Sequence, residues 1–335
     1  MKVKTMLRLT TSSTRLFIIT ALCFISTAAA QPTGTPTSSA PTPPPPSLMK
    51  LNVIVTGKED TSAVDVLRED VVIKEDGAVQ AITHFAKEEL PVSFALVVDN
   101  SGSLRFHIND IIKSGQAIVS VNRPGDEAML VRFVSSNKIQ VVKDFTSAQS
   151  ELNKGLDSMY IEGGETALID AVYLSAKRVA ERKPEDAQRR RSIILLTDGE
   201  DRHSLLKSEE LIEYLRRGSV QVFAIAFVKE LDIRGSITRK SSRAKATDLI
   251  TAITRESGGR AFFPDHKDDL INAVNEITRD LRSQYVIGYA SSAPARDGKF
   301  REVEVKIAAP PGSGKRRAIV RRGYYPPAHT PAPPK

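Results

Sequence analysis

The residues best suited to chemistry are oxygen donors grouped just after apolar runs. Asp99-Asn100-Ser101-Gly102-Ser103 follows Phe94 to Val98, Thr166 sits within Gly163-Gly164-Glu165-Thr166-Ala167-Leu168-Ile169-Asp170-Ala171, and Asp198-Gly199-Glu200-Asp201 follows Ser192 to Thr197. The first group sets one carboxylate and two hydroxyls at alternate positions of a tight loop, where all three oxygens can point to one side. Together, Asp99, Ser101, Ser103, Thr166 and Asp198 supply two carboxylates and three hydroxyls. Hard oxygen donors, few in number and drawn from separate loops, suit Mg²⁺ or Mn²⁺, which favour near-octahedral oxygen geometry and keep part of their water. Such a set leaves a coordination position and some positive charge for an outside ligand. An acidic side chain of a protein partner fits that position best.

These loops need strands that end together. From Val92 onward, apolar runs at 94–99, 128–134, 138–142, 192–198, 220–227 and 260–263 alternate with amphipathic segments around 106–121, 147–158, 166–182, 208–217, 246–256 and 267–282. Apolar strands without strict alternation are buried on both faces, as in a mostly parallel sheet covered by helices. Residues 91–283 are therefore predicted to form a doubly wound α/β domain, in which functional loops lie at the carboxyl ends of the strands. Short strand patterns return on both sides, at 50–55, 70–73 and 79–85 before the domain and at 284–290, 301–307 and 318–321 after it. Neither set is large enough to form a stable sheet by itself, so 49–90 and 284–325 are expected to pair into one small β-rich subdomain that carries the α/β domain as an insertion.

The motifs D-x-S-x-S, G-G-x-T-A-L-x-D-A and T-D-G-E-D, in that order and each at a strand end, resemble the von Willebrand factor A-type domain and its metal-ion-dependent adhesion site (MIDAS). The resemblance covers roughly residues 91–283 and implies that Asp99, Ser101, Ser103, Thr166 and Asp198 stand at the five positions of that site, with none missing. The flanks resemble bacterial relatives of the family, with Glu75-Asp76-Gly77 as the leading turn and Leu281 to Tyr289 as the trailing L-R-S-Q-Y-x-x-G-Y segment. The stretch 229–245 is longer and more basic than the corresponding link in simpler members. What the resemblance implies is a non-enzymatic binding module with Mg²⁺ or Mn²⁺ at its adhesion site. Two alternatives remain open: a cell-envelope structural or assembly scaffold in which the metal is incidental, and a metal-dependent hydrolase.

Several other classes are excluded by what the chain lacks. A single cysteine, Cys23, rules out a disulfide scaffold and a thiolate metal cluster. No G-x-S-x-G elbow supports a nucleophilic serine, and no G-x-G-x-x-G follows the first strand of the α/β domain. Gly312-Ser313-Gly314-Lys315-Arg316 has Arg where a phosphate loop needs Ser or Thr, and it joins strands instead of opening a helix. Basic runs at Arg189-Arg190-Arg191, Arg239-Lys240 through Lys245, Lys315-Arg316-Arg317 and Arg321-Arg322, in a chain with 6% aromatics, read as solvated faces and not as a nucleic-acid surface. They are compatible with contact with an anionic envelope surface. Asp170 is expected to orient its loop, and His203 to be a solvated loop residue. The oligomeric state is not readable.

The 335 residues are 41% apolar and 26% charged, an ordinary globular composition. The net charge is +8, and half of it falls in residues 1–30, which hold Lys2, Lys4, Arg8 and Arg15 and no acid. That stretch continues with an apolar run from Leu16 to Ile25 and ends in Ala28-Ala29-Ala30, the layout of a secretory signal. Residues 31–48 form a Pro/Thr/Ser-rich linker and 326–335 a Pro-rich tail of disordered composition. The expected protein is exported, to the periplasm, the cell surface or the medium, and starts at Gln31. Intact-mass measurement of the exported protein should give a chain lacking residues 1–30, and a mass that retains them would contradict cleavage there.

Overall fold

A computed structural model describes residues 48–57, 61, 65–182, 189–231, 240–292, 298–309 and 314–326. The expected signal at 1–30, all of the linker except its last residue, the centre of the basic 229–245 stretch and all but the first residue of the 326–335 tail lie outside them.

The chain opens with β1 (Leu48–Thr56), β2 (Val71–Glu75), β3 (Ala78–Gln80) and β4 (Ile82–Glu88). The α/β domain follows as β5 (Val92–Asp99), a 3-10 turn over Gly102–Phe106, α1 (Ile108–Ser120), β6 (Glu127–Phe133), β7 (Ile139–Thr146), α2 (Gln149–Asp157), α3 (Leu168–Glu181), β8 (Arg190–Thr197), α4 (Ser208–Arg217), β9 (Val220–Ala226), α5 (Ser242–Ser257), β10 (Ala261–Phe262) and α6 (Lys267–Arg282). It ends with β11 (Gln284–Ala290), β12 (Arg301–Ile307), β13 (Arg317–Ile319) and β14 (Gly323–Tyr324). Among the described residues, no helix is long and apolar enough to cross a membrane.

The central sheet has six strands in the order β10-β9-β8-β5-β6-β7, all parallel except the edge strand β7. Every residue of β5 and β9 is buried, because successive side chains point to opposite faces and both faces are covered. On one face Phe94, Leu96 and Val98 pack with Ile111 and Ile118 of α1, Leu152 and Leu156 of α2 and Ile277 of α6. On the other, Ala95 and Val97 pack with Val172 of α3, Leu211 of α4 and Ile250 of α5. This is the doubly wound α/β architecture.

The flanking strands form two four-stranded sheets, β13-β1-β11-β4 and β14-β12-β2-β3, and each sheet mixes strands from before and after the α/β domain. Leu51 and Val53 of β1, Ile287 and Tyr289 of β11, Ile73 of β2 and Val303 and Val305 of β12 share one core, so the two sheets face each other as a sandwich. Ile54 points to the opposite face of β1 and joins the core that contains Ile277 and Leu281 of α6. A single strand over 79–85 is the sequence expectation. The chain instead breaks at Ala81, so that β3 pairs with β2 in one sheet and β4 with β11 in the other.

Two buried polar groups hold this arrangement. Arg190 is 1% exposed, although its basic run reads as a solvated face. Its guanidinium donates to the carbonyl oxygens of Glu88 (2.6 Å), Arg282 (2.8 Å), Leu281 (3.4 Å) and Gln284 (3.5 Å). Those carbonyls belong to the end of β4, the last turn of α6 and the start of β11, which are the two points where the chain enters and leaves the α/β domain. Burial pushes its pKa down to about 10, and carbonyl dipoles at a helix C-terminus suit the cation. Within the sandwich, buried Glu75 accepts hydrogen bonds from the hydroxyls of Tyr289 (2.7 Å), Tyr324 (2.8 Å) and Ser291 (2.5 Å). Burial, reinforced by the bond to Glu75, pushes the Tyr324 phenol up to about 12 and raises Tyr289 as well.

Glu75→Ala removes the shared acceptor of three buried hydroxyls. Three hydrogen bonds to a carboxylate are lost at about 1 kcal/mol or more each, so Glu75→Ala should cost roughly 3 kcal/mol, whereas Tyr324→Phe should cost about 1 kcal/mol. Urea titration of the two variants checks the ranking, and equal losses would contradict a network centred on Glu75.

Candidate metal centre

The carboxyl ends of β5 and β8 lie side by side, because the two strands are parallel neighbours in the register Val98↔Leu196. Asp99 is therefore at the tip of β5 beside Thr197, and Asp198 directly follows the tip of β8. Both carboxylates are buried, Asp99 at 0% and Asp198 at 2% exposure. The Ser101 N–H donates to Asp99 Oδ1 (2.9 Å) and the Thr197 hydroxyl to Asp99 Oδ2 (2.7 Å). Thr197 Oγ1 in turn accepts from the Gly199 N–H (3.0 Å), and Asp198 Oδ1 accepts from the Glu200 N–H (2.9 Å). Gly199 makes this turn at φ +81°, and a Cβ there would also press on Ala246 and Ile250 of α5.

Ser101 and Ser103 have their hydroxyl oxygens 3.0 Å apart. Ser101 is buried and Ser103 is exposed, so the pair leads from the carboxylates out to solvent. Thr166 is 4% exposed and its loop is bonded to both of the others. The Glu162 N–H donates to the Asn100 carbonyl (3.1 Å), and the N–H groups of Arg202 and His203 donate to the Thr166 carbonyl (2.8 and 3.1 Å). The loop reaches this position through Gly163 and Gly164, at φ +76° and +121°, where a side chain would be strained. The three loops that carry the five candidate residues thus form one cluster at one end of the sheet.

Residues outside the five hold the cluster in place. The Asp170 carboxylate does not bond its own loop. It accepts from the N–H groups of Leu205 (2.8 Å) and Leu206 (2.9 Å), while Asp201 accepts from the N–H of Ile169 (3.0 Å). This reciprocal clamp ties the start of α3 to the loop after Asp198. Asn100 donates through Nδ2 to the Tyr160 carbonyl. His203 is largely exposed and pairs with Glu165. Thr197 is the main residue that sequence reasoning missed, although a lone hydroxyl ending the apolar run Ile193 to Leu196 was a visible signal.

The electrostatics of the cluster would suit a cation. Burial, and after it the charge of Asp198, pushes the Asp99 carboxyl up to about 7, and burial raises Asp198 as well. Asp198 Oδ2 and Asn100 Oδ1 are buried without a hydrogen-bond partner. Among the described residues no three His, Cys, Asp or Glu side chains gather as a metal cluster, so a cation here would rest on two carboxylates and on hydroxyls. A hard divalent cation matches that donor set and would relieve both the like-charge repulsion and the unpaired oxygen.

Residues 94–200, which span all five candidate ligands, match the family model of the von Willebrand factor type A domain. The chain carries a von Willebrand factor type A domain. Such domains generally mediate contacts between proteins. No curated protein matches the chain. Similar solved structures include an aerotolerance-related membrane protein from Bacteroides fragilis, 18% identical over 56% of this chain and 99% of that one, with a TM-score of 0.42. A von Willebrand factor type A protein from Catenulispora acidiphila is 12% identical over 82% of this chain and 73% of its own, at a TM-score of 0.45. Proximal thread matrix protein 1 from the mussel byssus, solved with zinc in its MIDAS motif, is 18% identical over 60% of this chain and 49% of its own, at a TM-score of 0.46.

The raised value of Asp99 makes the metal-free fold pH-dependent with a definite sign. A carboxyl whose folded-state pKa lies above its ordinary value near 4 favours the fold while it is protonated. That contribution is complete below about pH 4 and is lost as pH rises through about 7. In EDTA, the urea midpoint of the wild type should therefore fall across this window, and Asp99→Asn, which stays neutral, should flatten the fall. Parallel pH profiles for the two proteins would show that Asp99 is not the buried charge responsible.

Proposed function

We propose that this is an exported, non-enzymatic binding module in which Mg²⁺ or Mn²⁺, held by Asp99, Ser101, Ser103, Thr166 and Asp198, supplies the positive charge that captures a carboxylate of a protein partner. The observation that carries this reading is the burial of two like-charged carboxylates side by side, one of them with a free oxygen, beneath a hydroxyl that reaches solvent. Buried charges are retained at a cost unless a partner compensates them. In this reading Asp99, with both oxygens already accepting hydrogen bonds, contributes negative charge and orients Ser101. Asp198 offers its unpaired Oδ2, and Ser103 marks the open side from which the partner's carboxylate arrives.

A cation that binds only the folded state stabilises it by about 2.7 kcal/mol at a hundredfold excess over Kd, which for a protein of this size raises Tm by roughly 5–10 °C. Mg²⁺ should produce that shift, EDTA should reverse it and Asp99→Ala should abolish it. Ser101→Ala removes a neutral donor and should only reduce it. Calorimetry of the three proteins with and without Mg²⁺ checks these outcomes, and a wild-type Tm indifferent to Mg²⁺ and Mn²⁺ would transfer support to the scaffold alternative.

A further inference from the structure

Each of the three loops that build the candidate centre carries one large apolar side chain that is at least half exposed. Phe106 follows Ser103 and is 87% exposed, Leu205 follows Asp198 and is 86% exposed, and Tyr160 lies six residues before Thr166 and is 50% exposed. Phe106 and Leu205 are the two most exposed large apolar side chains among the described residues.

None of the three sits on slack backbone. The 3-10 turn that ends in Phe106 is closed by Leu104 N–H to Ser101 O (3.2 Å) and His107 N–H to Leu104 O (2.9 Å). Leu104 is fully buried beneath it, and the His107 ring stacks on Phe227 at 5.0 Å. Leu205 is held by its N–H on Asp170, and the Tyr160 carbonyl is held by Asn100, with the Arg132 guanidinium 4.6 Å from its ring. Apolar side chains on pre-organised backbone lose little conformational freedom on binding, which is the property of interface hot spots.

The charges around them are of both signs, with Arg105 exposed beside Phe106. Glu162 pairs with Lys138 at 2.9 Å, Glu200 with Arg202 and Glu165 with His203. Such a mixed rim is not the single-sign patch that an anionic lipid surface or nucleic acid favours. It leaves one central demand for a single negative charge, with apolar contacts on the loops around it.

We propose that Phe106, Leu205 and Tyr160 are the specificity-determining residues of the capture site, and that its ligand is a polypeptide segment in which an Asp or Glu is flanked within two positions by bulky apolar side chains. This rests on the metal-dependent capture of a carboxylate set out above. The cation would take the carboxylate, and the apolar neighbours would cover Phe106 and Leu205.

The test uses the full chain and short synthetic peptides with a central Asp flanked by Phe and Leu, a central Asp flanked by Ser, or a central Asn flanked by Phe and Leu. Binding is read by fluorescence polarisation in Mg²⁺ and in EDTA, for the wild type and for the Phe106→Ser/Leu205→Ser variant, whose Mg²⁺-induced Tm shift should be unchanged. The expected result is that in Mg²⁺ the apolar-flanked Asp peptide binds at least about tenfold tighter than the Ser-flanked one. That ratio should collapse toward one in the double variant, and the Asn peptide should bind weakly throughout.

A Mg²⁺-dependent preference for Asp with no preference for its flanks overturns the inference and leaves the metal-capture reading standing. So does a flank preference that survives the double substitution. Failure of every peptide while the Mg²⁺-induced Tm shift persists overturns the inference as well. Loss of both the Tm shift and all Mg²⁺ dependence overturns the metal-capture reading itself. Mg²⁺-dependent self-association, or binding to phosphatidylcholine vesicles, that is lost in the double variant would assign Phe106 and Leu205 to a second copy or to a membrane, and would equally overturn it.

Discussion

Two carboxylates that cannot comfortably share a dry space set the terms for the carboxyl end of this molecule. Parallel pairing of β5 with β8 brings Asp99 and Asp198 to adjacent strand tips, and full coverage of both sheet faces removes the water that would otherwise separate their charges. The protein answers Asp99 with two donors, the Ser101 N–H and the Thr197 hydroxyl, but leaves one oxygen of Asp198 unanswered. Neutral hydrogen bonds of this kind lower the cost of a buried charge without cancelling it, as the raised pKa of Asp99 shows. If stability alone governed these positions, apolar or amide side chains of similar volume would serve better. The arrangement makes physical sense as a fold held ready for a positive ligand.

The same constraint explains which parts of the molecule were legible in sequence. A loop donor at a strand end is visible when the strand is an unbroken apolar run, as Phe94 to Val98 and Ile193 to Leu196 are, and that placed Asp99, Ser101, Ser103 and Asp198 at strand ends. The double-faced burial behind those runs likewise made the α/β class legible. What escaped depends on pairings distant in sequence. Thr197 matters because its neighbour across the sheet is Asp99, 98 positions away, and Asp170 matters because Leu205 and Leu206 lie 35 and 36 positions downstream.

Local pattern also misjudged residues whose environment changes within a few positions. Residues 79–85 keep the alternation of one strand, yet the chain leaves one sheet after Gln80 and enters another at Ile82. Alternation reports which face a side chain takes and does not report which sheet supplies the neighbours. Arg190 belongs to a run of three arginines, and composition alone makes such a run a solvated face. Arg189 and Arg191 flank a residue whose long side chain passes inward instead, because four carbonyl oxygens from three elements converge where it points. A carboxylate partner would have fixed it to one element, whereas carbonyls let a single cation hold the end of β4, the end of α6 and the start of β11 together.

Strand β8 therefore has opposite duties at its two ends. Arg190, its first residue, anchors both passages of the chain between the α/β domain and the sandwich, while Thr197, its last, supports Asp99 and is followed by Asp198. Other contacts with the flanking strands fall at the same amino end of the sheet. Arg321 donates to the Gly218 carbonyl just before β9, and the backbone at Gly258, shortly before β10, lies so close to Arg321 that a Cβ would be 2.5 Å from the Arg321 nitrogen. The sandwich is thus built against the amino ends of the strands and the oxygen cluster against their carboxyl ends, so that the joining contacts do not compete with the loops for space. A parallel sheet makes this separation available without further design, since all its equivalent loops emerge on one side. With the α/β domain inserted between strands of a sandwich, the joining contacts among the described residues all lie away from the loops that carry Ser103, Phe106 and Leu205.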